Sequence, residues 1–441
     1  MTDATRTGRT VIVGGTVLDP SSGFHEPANV LIEGERTFGI SREIPSDWRD
    51  ATQVDAAGRL VIPGLICLRT QVCEPGYEWK EDVRSASRAA VAGGFTTICA
   101  RPDTDPVNDV RAVTEQIVTR NLHATSARVL PVGAATIGIK GENLSEMGDM
   151  RDAGCVAVST GETSIPSATM MRRVMEYARS VGLPVFSAGQ DKSLTGKAVM
   201  NEGLMSLRLG MAASPAEAES IAMFRDGQLS RLTDWPIHFQ RLSTRAGVEV
   251  LRLLRAQGIA ATADCTPHHL WFDETAVAGF DTNTHVCPPL RTADDVEALR
   301  EALREGLIDA VATDHAPESS IEKMVEYKWS RPGTTGLETA LGAALDLVRR
   351  GSLDLMLAVT RMTLGPAGIL GRTDLGRIGE GALADIAIVD TQTPWQVDAR
   401  QLHTRGVNHI FAGQSLTGRV ECTFVGGQIV YRGEEPEHAH R

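Results

Sequence analysis

Val61-Ile62-Pro63-Gly64-Leu65-Ile66-Cys67-Leu68-Arg69-Thr70-Gln71-Val72-Cys73-Glu74-Pro75-Gly76-Tyr77-Glu78-Trp79-Lys80-Glu81-Asp82 is the stretch from which the rest of the chain is read. Its apolar start is the first of several short apolar runs that alternate with helical periodicity. Thr96 to Ala100 follows a helical stretch around Ser85 to Ala92, Leu183 to Phe186 follows Ala168 to Val181, and Asp309 to Thr313 follows Ala293 to Glu305. Strands alternating with helices, each strand apolar on both faces, predict an α/β fold, a (β/α)8 TIM-like barrel.

The two ends of the chain have a different texture. Thr10 to Val13 precedes Gly14-Gly15, and Asn29 to Ile32 precedes Glu33-Gly34. Near the other end lie Ala384 to Val389, Val420 to Phe424 and Gln428 to Tyr431. Short β-rich runs punctuated by glycine predict one small β domain built from both ends. The expected division is 1–62 and 369–441 for the β domain, with 63–368 for the barrel. The polar tail from Glu434, with His438 and His440, is expected to be a solvated terminus rather than a metal site.

Composition narrows the classes of partner. The 441 residues are 42% hydrophobic and 23% charged, with a formal net charge of −12. An acidic chain does not neutralise phosphates, so no nucleic-acid partner is expected. No apolar run is long enough to span a membrane, and residues Met1 to Arg9 are polar. The seven cysteines are scattered and form no C-x-x-C pair, which predicts reduced thiols in a cytoplasmic protein.

The opening stretch resembles the dihydroorotase motif P-G-x-x-D-x-H-x-H-x-R-E-P-G of the amidohydrolase superfamily. In that family the two histidines bind a catalytic divalent metal and the arginine holds the substrate carboxylate. Arg69, Gln71 and Cys73 stand at those positions here. The likeness extends over nearly the whole chain. Asp103 stands at the asparagine of M-P-N-T, and Thr160-Gly161 stands where relatives carry a ligating carboxylate. Ala188 and Arg241 replace two further ligand histidines, Cys287 the asparagine of N-P-P-L-R, and Glu318 the histidine after A-T-D-H-A-P. Thr266 to Leu270, Ala312 to Pro317 and Gly336 to Thr339 keep the family's pattern, so Asp314 retains the position of the general base.

A guanidinium donates and cannot accept, so Arg69 and Arg241 cannot ligate a cation. The expectation is therefore no metal and no cofactor, with Asp314 paired to Arg69 or Arg241. Glu162 is expected to lie beyond its strand and to be a poor substitute for the lost carboxylate. His268 and His269, read as strand neighbours, would face opposite sides. Arg69 could lower the pKa of Cys73, but no histidine is close in sequence to serve as its base, so Cys73 is read as a substitution without a catalytic role.

The resemblance implies a noncatalytic dihydroorotase homologue that assembles with the catalytic chain of aspartate transcarbamoylase in pyrimidine biosynthesis, as a homodimer within a larger hetero-oligomer. The alternative is an active cyclic amide hydrolase that uses a relocated metal or Asp314 alone. A cytoskeletal or signalling scaffold of the noncatalytic dihydropyrimidinase type fits the chain less well.

Overall fold

The computed structural model describes residues 8–124 and 126–433; the histidine-bearing tail lies outside them. Eight strands form one parallel sheet in chain order: Leu65–Thr70, Phe95–Ala100, Arg128–Ala134, Ala157–Ser159, Val185–Ser187, Ile237–Phe239, Ala261–Cys265 and Ala310–Val311. Neighbours pair in parallel throughout. The first and last strands approach each other through a bridge between Thr70 and His315 and a 2.7 Å bond from the Gln71 amide to the His315 carbonyl. The result is a nearly closed α/β barrel of the expected type.

The barrel closes because its strands are apolar on both sides. Every residue of Leu65–Thr70 and Phe95–Ala100 is buried. One face packs into the barrel and the other against the outer helices, and each fully buried aliphatic side chain contributes roughly 1.5–3 kcal/mol.

The helices begin where their caps say they should. Asp82 accepts from the Ser85 amide at 2.7 Å, and the Asp82 amide in turn donates to the Ser85 hydroxyl at 3.0 Å, starting the helix Val83–Ala92. Gly93 ends it with no room for a side chain, since a Cβ there would sit 2.0 Å from the Leu337 carbonyl oxygen. The expected helices over Ala168 to Val181 and Ala293 to Glu305 are Ala168–Val181 and Ala293–Arg304.

The chain ends build one sheet. Arg9–Asp19, Phe24–Glu33 and Arg36–Ser41 form an antiparallel meander, with Thr52–Asp55 added in parallel. Ile386–Gln396, Ser415–Val425 and Gln428–Arg432 form a second meander. Leu60–Pro63 joins the two, pairing with Arg9–Asp19 on one side and with Ile386 to Val389 on the other. Ile12, Val30, Val61, Ile386, Ile388 and Phe424 share its core. The same strand leads through Gly64 into the first barrel strand, so the β sheet anchors the start of the barrel. Among the described residues no helix is long and apolar enough to cross a membrane.

Candidate active site at the carboxyl end of the barrel

Arg69, Glu162, Arg241 and Asp314, weighed in the sequence, and Arg101, which was not, converge because each follows, or lies near the end of, a barrel strand at its carboxyl end. Arg69 is the next-to-last residue of the first strand, Arg101 directly follows the second, and Glu162 follows the fourth. Ala188 follows the fifth, Arg241 the sixth and Asp314 the eighth. In such barrels this rim is where catalytic groups gather.

Arg69 is 1% exposed and spends its donors on three acceptors. Its Nε donates to Asp314 Oδ1 at 2.7 Å, Nη1 to Gln240 Oε1 at 2.9 Å and Nη2 to Glu162 Oε1 at 2.9 Å. Arg101 donates to both oxygens of Asp103, at 3.0 and 2.6 Å, and to Glu162. Arg241 Nη1 donates to Glu162 Oε2 at 2.7 Å and to the Cys287 carbonyl at 2.5 Å. Gln71 joins through its amide, which donates to Asp103 at 3.1 Å.

Three guanidiniums therefore face three carboxylates, Asp103, Glu162 and Asp314. Buried charges require such compensation. Burial, then Arg101 and Arg241, pull the pKa of Arg69 down to about 9, which still leaves it a cation at neutral pH. Burial raises Asp103, but Arg101 and Arg69 outweigh it and hold the carboxyl below its ordinary value. Burial lowers Arg101, and Asp103 and Asp314 more than reverse that.

Two of the cluster's residues sit in the left-handed region of backbone space. Arg241 has φ 61° and Asp314 has φ 46°. Such conformations cost a non-glycine residue about 1–3 kcal/mol and gather at functional sites. Asp264 helps hold the first, accepting from the Arg241 amide at 2.7 Å while His238 bonds its other oxygen at 3.0 Å.

Other expected positions fall outside the cluster. Thr160 and Ala188 meet each other, the Ala188 amide donating to the Thr160 hydroxyl at 3.1 Å. Glu318 is turned away and accepts from Lys80 Nζ at 2.6 Å. Cys287 touches the cluster through its carbonyl rather than its thiol. Cys73 is buried at φ 59°, and burial, then Asp103 and Glu81, push its thiol well above the ordinary value. The alternative in which Arg69 favours a Cys73 thiolate finds no support here, because the surrounding carboxylates and the loss of water oppose it.

Two further expectations change. His268 and His269 lie on a short helix, Pro267–Trp271, not on a strand, and their ring centroids are 4.6 Å apart. Burial, then Arg241, holds His268 neutral with a pKa of about 3. His269 uses both ring nitrogens, on the Thr266 hydroxyl at 2.7 Å and the Pro288 carbonyl at 3.1 Å.

Glu162 is the larger correction. It does lie beyond its strand, yet Gly161 (φ 90°) turns the chain so that the Glu162 carboxylate meets all three guanidiniums. The sequence signals for it and for Arg101 were present: a glycine just past a strand, and a charged residue at a strand's carboxyl end.

Residues 60–430 match the Amidohydrolase family. The chain belongs to that family. Relatives named dihydroorotase include those of Syntrophotalea carbinolica, 44% identical over 96% of this chain and 99% of its own length, and Geobacter metallireducens, 42% identical over the same shares. The dihydroorotase of Anaeromyxobacter dehalogenans is 42% identical over 97% of this chain and 98% of its own. Among solved structures, the L-hydantoinase (dihydropyrimidinase) of Arthrobacter aurescens superposes with a TM-score of 0.87 at 22% identity, covering 97% of this chain and 96% of that one, which shows a common fold.

These relatives overturn the expectation of a catalytically inactive, non-enzyme subunit. That expectation equated loss of one ligand set with loss of chemistry. The barrel mouth of this chain still holds a carboxylate at the base position and three cations beside it.

The divalent metal that the dihydroorotase resemblance implies does not fit the side chains at those positions. Arg69 and Arg241 are cationic donors, Ala188 has no donor atom, and the Gln71 amide is directed at Asp103. Among the described residues no group of three or more His, Cys, Asp or Glu is placed to hold a metal ion.

Proposed function

We propose that this chain hydrolyses a cyclic amide of the dihydroorotate type at the barrel mouth, with Asp314 as proton acceptor and the guanidiniums of Arg69, Arg101 and Arg241 as the positive charge beside it. The full-length likeness to proteins named dihydroorotase supports the reaction class. The observation that carries the assignment of roles is the asymmetry of Asp314. Its Oδ1 is anchored by Arg69 Nε at 2.7 Å, whereas its Oδ2 accepts no hydrogen bond from the described residues and has Arg241 Nη1 at 3.7 Å.

In this reading a water on Oδ2 gives Asp314 its proton as its oxygen adds to the ring carbonyl carbon. The carbonyl electron pair moves onto oxygen, and the neighbouring guanidiniums stabilise that oxyanion. The pair returns as the ring C–N bond breaks. The departing nitrogen takes the proton from Asp314, and the new carboxylic acid ionises to an open-chain carboxylate. A positioned base contributes about 10²–10⁴-fold, and each aimed donor to an oxyanion about 3–4 kcal/mol.

The test is ring opening of dihydroorotate, and its reverse, with chelator-washed protein. Turnover is expected to persist, and Asp314→Asn is expected to lower kcat by about 10²–10⁴-fold. Absence of turnover in both directions would overturn the activity. Activity lost on chelation and restored by zinc would leave the activity standing and remove the arginine-based mechanism.

Assembly with the catalytic chain of aspartate transcarbamoylase is a separate proposal that rests on the sequence resemblance. Co-sedimentation of the two purified chains decides it, and independent migration at micromolar concentration would sink it.

A further inference from the structure

Among the six charged side chains at the mouth, Glu162 is the odd one. Arg69 and Arg241 are 1% exposed and Asp314 is 8% exposed, but the Glu162 side chain is 42% exposed. It nonetheless receives the most cationic donors, from Arg69 Nη2 at 2.9 Å, Arg241 Nη1 at 2.7 Å and Arg101 Nη2. Its backbone carbonyl takes a fourth bond from Arg241 Nη2 at 3.3 Å. It reaches the cluster from solvent, on a turn pivoting at Gly161, whereas its partners are packed in the barrel wall.

Removing the Glu162 carboxylate leaves three buried cations against two carboxylates. That is one unit of uncompensated positive charge, in a pocket whose donors already suit a carboxylate's two oxygens. Spare capacity lies in the same place. Arg241 Nε is buried without a hydrogen-bond partner among the described residues. Buried donors left unpaired are costly, and an incoming oxyanion relieves that cost.

We infer that Glu162 occupies, as an internal stand-in, the subsite for the carboxylate that ring opening creates, and that an open-chain dicarboxylate displaces it. This rests on the reaction proposed above. It adds that the three guanidiniums hold the product carboxylate, and that Glu162 sets how tightly such anions are held. Glu162 is a positioning residue here: it competes with the ligand for Arg69, Arg101 and Arg241 and handles no proton.

The experiment measures binding rather than turnover. Succinate and carbamoyl aspartate are titrated calorimetrically into wild type, Glu162→Gln and Glu162→Asp at constant ionic strength, with sulfate as a charge control. Glu162→Gln should bind both dicarboxylates about tenfold tighter or more, since a charged competitor for the same donors has been neutralised. Glu162→Asp, which keeps the charge on a shorter arm, should fall between the two. Should Glu162→Gln be too unstable to titrate, its melting temperature must rise more with succinate than that of wild type.

Equal affinities in wild type and Glu162→Gln would overturn the inference, as would an equal gain for sulfate. The two proposals fail separately: unchanged binding with dihydroorotate turnover removes only the stand-in, and tightened binding without turnover removes only the hydrolase.

Discussion

Arg69 stands where the dihydroorotase pattern has a metal-binding histidine, and its side chain has become the hub of a neutral ionic cluster. Its position at a strand's carboxyl end was legible in the sequence, and so was its pairing with Asp314. Asp314, 245 residues away, is marked by the family pattern it keeps, whereas nothing in the sequence marks Gln240 or Glu162, 171 and 93 residues away, as a partner. Truncating one member of a buried ionic set strands the others, typically at about 3–5 kcal/mol. Arg69→Met should therefore lower the urea-unfolding free energy by that order. The double variant with Asp314→Asn should cost less than the sum of the two single changes, because each removes the other's unpaired charge. Additive losses in that cycle would mean the two side chains do not share one network.

The short strands and the turns after them form the next scale. Ala157–Ser159, Val185–Ser187 and Ala310–Val311 are only two or three residues long, so the residues that follow, not the strands themselves, shape the mouth. Gly161 is the plainest case. At φ 90° it takes a conformation that side chains rarely adopt, and a Cβ there would lie 2.4 Å from Ile139 Cγ2. Gly161→Ala should destabilise the protein by roughly 1–3 kcal/mol, read as a lowered urea midpoint. It should also change the affinity for dicarboxylates by displacing Glu162. Wild-type stability with unaltered binding would show that this turn does not position the carboxylate. The same scale explains the misreading of His268-His269. Thr266 caps a helix, accepting from the His269 amide at 3.3 Å, and Pro267 occupies the first helical position. Threonine followed by proline is a helix-start signal, and it outweighs the strand that precedes it.

At the scale of the molecule, acid sensitivity follows from buried neutral histidines. Burial, then Arg241, lowers His268 to about 3; burial, then His315, lowers His409 to about 3; burial, then Lys323, lowers His285 to about 4. A pKa lower in the folded than in the unfolded chain means that the unfolded chain binds more protons in acid. The stability is thus complete above about pH 6.5 and falls as pH drops toward 4. Between pH 7 and pH 5 each such histidine should cost about 2 kcal/mol, seen as a falling urea midpoint. A flat profile over that window would contradict their burial in neutral form. What the sequence determined by itself was the alternation of elements, the β-rich ends and the rank of residues at the strand termini, because these depend on local periodicity and on glycine and proline. Only the tertiary structure decided that Leu60–Pro63 joins the two ends into one sheet and that three arginines meet Glu162 and Asp314 at one point. The reason is physical: a strand's pattern gives its buried faces but not its neighbour, and charge compensation in a low-dielectric pocket depends on distances between residues far apart along the chain.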